Sequence, residues 1–148
     1  MNFPALMRIG SLEILAAFVA FGFVAARLRT DVLAPRRKPA AVRVFLQVRE
    51  SAGRGPGREL EILVGGKEPV ILGRSSQAQI GLADPEVSRR HARLDLERGV
   101  LYVSDCASSN GTFLNGKRVD EGGIEVRPGD DIDVGNSRIR ISRTEPIA

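Results

Sequence analysis

A chain of 148 residues has room for one ordinary domain plus an appendage, with enough length to bury a real core. Its net charge is +4, but the whole excess sits in residues 1–40, where Arg8, Arg27, Arg29, Arg36, Arg37 and Lys38 face only Glu13 and Asp31, and the remainder balances at sixteen against sixteen. Nucleic-acid binding wants its basic excess on the folded part beside exposed aromatics and is disfavoured, while a single cysteine, Cys106, excludes an internal disulfide and a cysteine-rich zinc site.

Ile9 to Ala26 is apolar or small apart from Ser11 and Glu13, and Ile14 to Ala26 is unbroken. As a helix this stretch would span about 27 Å, just enough for a hydrocarbon layer of ~30 Å. Three readings compete. A cleaved signal peptide should carry its positive charge before the apolar run, and a helix apolar on every face has nowhere to be buried in a small β-rich domain. A membrane anchor fits the flanks better: one arginine precedes the run and five basic residues follow it, which by the positive-inside tendency keeps the following chain in the cytoplasm. Residues 1–29 are therefore expected to form a single-pass transmembrane helix in the cell membrane. Glu13 lies about a turn inside its outer boundary, where it can reach the interface or take a proton. Residues 30–41 follow as a basic linker in which Pro35 and Pro39 bracket Arg36-Arg37-Lys38, a composition that disfavours regular structure.

From Ala41 the pattern changes to period two. Val42, Val44, Leu46 and Val48 alternate with Arg43, Phe45, Gln47 and Arg49, the signature of a strand with one buried face. Turn residues Gly53-Arg54-Gly55-Pro56-Gly57 precede a second alternation at Leu60, Ile62 and Val64, and Gly65-Gly66 turns the chain into Pro69-Val70-Ile71-Leu72. Further short strands are expected at Ala78 to Leu82, His91 to Glu97, Val100 to Asp105, Thr112 to Leu114, Asp131 to Val134 and Ser137 to Ser142. Many short strands separated by Gly, Pro and Asn turns make an all-β sandwich or barrel.

The connections are more informative than the strands. Gly73-Arg74, Ser88-Arg89-Arg90-His91, Ser109-Asn110-Gly111-Thr112 and Asn115-Gly116 concentrate Arg, Ser, Asn and Gly around turns. Such side chains leave donors unsatisfied if buried without partners, so this is a surface built to hold something polar. Gly111 and Gly116 suit turns with positive φ, and Asn115-Gly116 is a hairpin signal.

Taken in order and spacing, Gly73-Arg74, Ser88-Arg89-x-His91, Asn110-Gly111-Thr112 and Asn115-Gly116 resemble the forkhead-associated (FHA) domain, a phosphothreonine-binding module. The resemblance covers residues 42–143 and leaves 144–148 as a tail. It implies a two-sheet antiparallel β-sandwich, FHA/SMAD-like, with the binding loops at one end. It also implies that Arg74 contacts phosphate through a planar fork, that Ser88 donates a hydroxyl, and that Arg89 adds a basic contact. Ser109 stands where the family often has threonine, and Asn110 matches the asparagine that holds the peptide backbone after the phosphothreonine. His91, the only histidine, and Thr112 are implied to brace the loops. The stretch Arg27-Leu-Arg-Thr-Asp-Val-Leu-Ala-Pro35 also resembles the linker of small membrane-anchored bacterial FHA proteins.

Several other patterns compete and fall short. Gly111 to Lys117 fits G-x-x-x-x-G-K, but Arg118 replaces the hydroxyl residue that would hold magnesium, and Arg118 to Gly123 heads into a turn rather than a helix. Asn110-Gly-Thr112 is a glycosylation sequon, relevant only outside the cytoplasm. Ser88 and His91 have no nucleophile elbow around them, no second ligand makes His91 a metal site, and Cys106 reads as a small filler. The expected protein is a non-enzymatic module without cofactor or metal. It recruits a phosphothreonine-containing protein or a Ser/Thr kinase to the membrane, with a phosphorylation-independent scaffold as the alternative.

Overall fold

The structure, a computed structural model, describes residues 40–50 and 57–147. The expected transmembrane helix, nearly all of the linker and most of the turn around Gly55-Pro56 lie outside those residues. The described residues form strands and no helix: β1 (Ala41–Arg49), β2 (Arg58–Gly65), β3 (Val70–Gly73), β4 (Ile80–Gly81), β5 (Ala92–Glu97), β6 (Val100–Asp105), β7 (Thr112–Leu114), β8 (Lys117–Val119), β9 (Ile124–Glu125), β10 (Asp131–Val134) and β11 (Ser137–Ile147).

They make two sheets. The larger has the order β2-β1-β11-β10-β7-β8 and the smaller β4-β3-β5-β6-β9. The period-two pattern of β1 is realised in full, with Val42, Val44, Leu46 and Val48 all buried. Ile132, Val134, Ile139 and Ile141 from the same sheet join them, and Leu72, Ile80, Leu94 and Val103 come from the other. Each such side chain contributes roughly 1.5 to 3 kcal/mol on full burial, so the two inner faces hold the fold and the loops are free to be polar.

Three features depart from the sequence reading. One neighbouring pair, β3 with β4, is parallel, Leu72 opposite Ile80 and Gly73 opposite Gly81, where antiparallel sheets were expected throughout. The strand itself falls within the expected Ala78 to Leu82, but its direction depends on the connection, a tight turn in which Ala78 N donates to Ser75 O, with Leu82 N donating to Gly73 O. Second, β8 occupies Lys117–Val119, where a turn was expected to begin, and β9 follows at Ile124–Glu125. Third, β11 runs past Ser142 to Ile147, its extra length pairing with the start of β1 across a bulge between Phe45 and Leu46.

The sandwich has two distinct ends. Ala41 pairs with both Gly65 and Ile147 at one. At the other, Arg49 pairs with Arg138, while β3 ends at Gly73, β6 at Asp105 and β10 at Val134. The loops 74–79, 82–91, 106–111 and 135–136 all emerge at this second end.

Candidate functional site

Three loops converge at that end, and a web of hydrogen bonds locks them. Gly73 closes β3 so tightly against the next loop that a Cβ there would clash with the carbonyl oxygen of Arg89. The close approach lets Arg74 N donate to Ser88 O at 3.0 Å and Ser75 N to Arg89 O at 3.2 Å. Arg74 thus stands beside Ser88 as a matter of backbone geometry. Its Nε donates to Val87 O at 3.2 Å, which leaves the two terminal nitrogens of the guanidinium without a protein acceptor among the described residues.

His91 lies beneath, fully buried. Its Nδ1 accepts from the backbone N–H of Ser88 at 3.0 Å, so the ring proton belongs on Nε2, which donates to Gly111 O at 3.0 Å. One ring therefore ties the Ser88 loop to the Gly111 loop. The ring engages the backbone of Ser88 and not its hydroxyl, which is not the arrangement of a nucleophile with its base. Above it, Ser109 N donates to Ser88 Oγ at 3.1 Å, and since that oxygen acts as acceptor its own hydrogen is available to a ligand.

The third loop is organised by Asp105. Its carboxylate accepts from Ser108 N at 2.9 Å, Ser108 Oγ at 2.6 Å and Thr112 Oγ1 at 2.6 Å, and Ser108 Oγ accepts in turn from Gly111 N at 3.0 Å. Gly111 has φ +83°, a conformation open to glycine at little cost. On the loop 82–91, buried Asp84 accepts from Glu86 N at 3.0 Å, Asn136 N at 2.7 Å and Ser137 Oγ at 2.8 Å. It fastens the Ser88 loop to the turn between β10 and β11.

Arg74, Ser88, Ser109 and Asn110 are therefore brought together on adjacent loops by these bonds, with exposed Arg89 next to Ser88 in the chain and Gly73, His91, Gly111 and Thr112 beneath or beside them. Asn115 and Gly116 do not join this group. They form the far turn of the β7–β8 hairpin, with φ +50° and +81° as a type I′ turn requires. The Asn115 side chain braces β10, donating to Asp130 Oδ1 at 2.8 Å and accepting from Asp131 N at 2.9 Å. Sequence reasoning missed Asp84 and the capping role of Asp105; the available signals were the Asp84-Pro85 turn dipeptide and the Asp105-x-x-Ser108 spacing. Cys106 is half-buried, and burial pushes its thiol above the ordinary range, away from nucleophilic reactivity.

Burial alone would raise both aspartates. The bonds from Ser137, Glu86 and Asn136 outweigh it at Asp84, as those from Ser108 and Thr112 do at Asp105, and both carboxyls sit below their ordinary value. As pH falls, the unfolded chain takes up protons that the folded aspartates still refuse. Their stabilisation is thus complete above the ordinary carboxylate range and is lost as pH drops through the folded values. Urea midpoints measured from about pH 6 to pH 2.5 are expected to decline steeply below about pH 4. A midpoint independent of pH there would contradict the capping roles.

Charge pairing differs among the surface arginines. On the outer face of the larger sheet three are paired: Arg43 with Glu61 at 3.0 Å, Arg138 with Asp133 at 2.6 Å and Arg140 with Asp131 at 2.8 Å. Arg74 and Arg89, both exposed, make no ion pair among the described residues. Fixed donors and unpaired guanidinium groups over a braced, buried layer suit a small, multiply charged anion.

Comparison with known proteins bears on the same residues. A family model described as the FHA domain matches residues 70–135, a span that contains all of the candidate positions. FhaB of Mycolicibacterium smegmatis is 31% identical over an alignment covering 92% of this chain and 94% of that protein. Among solved structures, a domain from a study of phosphothreonine-dependent FHA interactions superposes with TM-score 0.57 at 30% identity, covering 71% of this chain and 99% of its own. The FhaA FHA domain, solved in complex with the intracellular domain of Rv3910, gives TM-score 0.54 at 30% identity, covering 69% and 99%.

Proposed function

Since the chain belongs to the FHA-domain family, we propose that it is a membrane-tethered reader of phosphothreonine that recruits partners phosphorylated by a Ser/Thr kinase on the cytoplasmic side. The phosphate sits among the terminal nitrogens of Arg74, the hydroxyls of Ser88 and Ser109, and Arg89, while the Asn110 amide orients the backbone that follows. The observation that carries this reading is the Arg74 guanidinium, held beside Ser88 by backbone bonds yet free at both terminal nitrogens. Preorganised donors spare the complex the cost of ordering them, and charge-assisted bonds to phosphate are stronger than neutral ones. No bond is made or broken in this scheme; the site binds.

Tethering rests on the apolar run Ile9 to Ala26 and the five basic residues after it, with residues 1–29 as the anchor, the chain from 30 up to β1 as the linker, and the sandwich, which extends the expected 42–143 to Ala41 and Ile147, as the reading domain. Its effect is to raise the concentration of a captured partner at the membrane. The test uses the full-length chain in detergent against a degenerate phosphothreonine peptide library and its unphosphorylated twin, with membrane fractionation alongside. Phosphate-dependent capture is expected. Equal capture of both libraries would favour a phosphorylation-independent scaffold, and recovery in the soluble fraction would remove the tether.

A further inference from the structure

Asn110, the side chain expected to hold the peptide backbone, is already engaged. Its amide nitrogen donates to Glu86 O at 2.8 Å and to Glu86 Oε2 at 2.9 Å, so both of its hydrogens are committed to one residue across the loop gap. The main chain of Glu86 is firmly set. Its N–H is bound by buried Asp84, and the next residue, Val87, is buried and donates its own N–H to Asp84 O at 3.1 Å. The carboxylate, by contrast, is exposed and makes no ion pair among the described residues. Loop end and charge are thus decoupled: the carbonyl cannot yield to a ligand, and the carboxylate can.

Resting on the phosphopeptide reading, we propose that Glu86 is a specificity-determining residue that selects Lys or Arg, and disfavours Asp or Glu, among the residues C-terminal to the phosphothreonine. When a peptide carbonyl takes one Asn110 hydrogen, the displaced acceptor is the Glu86 side chain. A full negative charge, released from Asn110, then stands next to the downstream peptide. A basic side chain there gives the carboxylate a new partner; an acidic one places like charges together. The group is exposed, so the effect is modest and salt-sensitive: basic over acidic by about five- to ten-fold at low ionic strength.

The experiment measures affinities of the full-length chain in detergent for phosphothreonine peptides of an alanine-serine background, with Lys, Ala or Glu at each of the first four downstream positions. Unphosphorylated versions serve as controls. Glu86→Gln keeps a side-chain acceptor for Asn110 and removes only the charge; Glu86→Lys reverses it. The preference for Lys over Glu is expected at one or more positions in the natural chain, to fall near unity in Glu86→Gln and to invert in Glu86→Lys, with thermal melts unchanged. The same preference in Glu86→Gln, or none in the natural chain, overturns the assignment while phosphate dependence persists. Equal binding of phosphorylated and unphosphorylated peptides overturns the phosphopeptide reading itself and this assignment with it.

Discussion

Replacing Arg74 with alanine is expected to weaken binding of a phosphothreonine peptide by about ten- to a hundred-fold and to leave the fold intact. A hydrogen bond to a charged group is worth about 1.5 to 3 kcal/mol, and each 1.4 kcal/mol is tenfold in affinity. Arg74 brings two free terminal nitrogens to the anion, so the loss falls in the upper part of that range if both engage. Stability should hardly move, because the side chain is exposed and gives the protein one bond, from Nε to Val87 O. Arg74→Lys should fall between the two, keeping the charge and losing the planar fork. Titration calorimetry of the three proteins against one phosphopeptide, with melts of each, reads both quantities. Unchanged affinity in Arg74→Ala would place the phosphate elsewhere.

His91→Ala is expected to do the reverse, costing about 3 to 5 kcal/mol of folding free energy. The imidazole fills a fully buried space and satisfies two backbone groups on separate loops, Ser88 N–H and Gly111 C=O. Alanine leaves a cavity, and an unsatisfied buried group costs about 1 to 3 kcal/mol. For a domain of this size that is a fall in melting temperature of more than about 10 °C. Urea denaturation gives the number directly. A loss under about 1 kcal/mol would mean that the loops are held by something other than this ring.

The parts of this architecture that could be read from residues alone are those governed by near neighbours. Alternation placed β1, β2, β5 and β6, because a strand's two faces differ at every second residue. Asn115-Gly116 announced its turn, since two successive positive φ values suit few other pairs. The loops of the candidate site stood out because Arg, Ser, Asn and His gathered at turns must each find polar partners. What stayed hidden is long-range. Asp84 meets Asn136 and Ser137 only after the chain has completed six further strands, and nothing in Asp84-Pro85-Glu86 indicates which turn it will fasten to. The parallel direction of the β3–β4 pair is likewise set by a connection and not by a period, and the two-residue β9 is too short to carry one. Glu86 escaped notice for a different reason: an exposed glutamate in a loop is ordinary until Asn110 is seen to hold it.

The pairing of Ala41 with Ile147, at the far end of β1 from Arg49, has a consequence for reach. Nine residues of strand at about 3.3 Å each separate the two poles, so the chain joins the domain roughly 30 Å from the loops. The candidate site therefore stands at the opposite pole of the sandwich from the start of β1, like the head of a matchstick from the foot of its stem, so whatever enters the domain at Ala41 leaves the loop end unobstructed by that first strand.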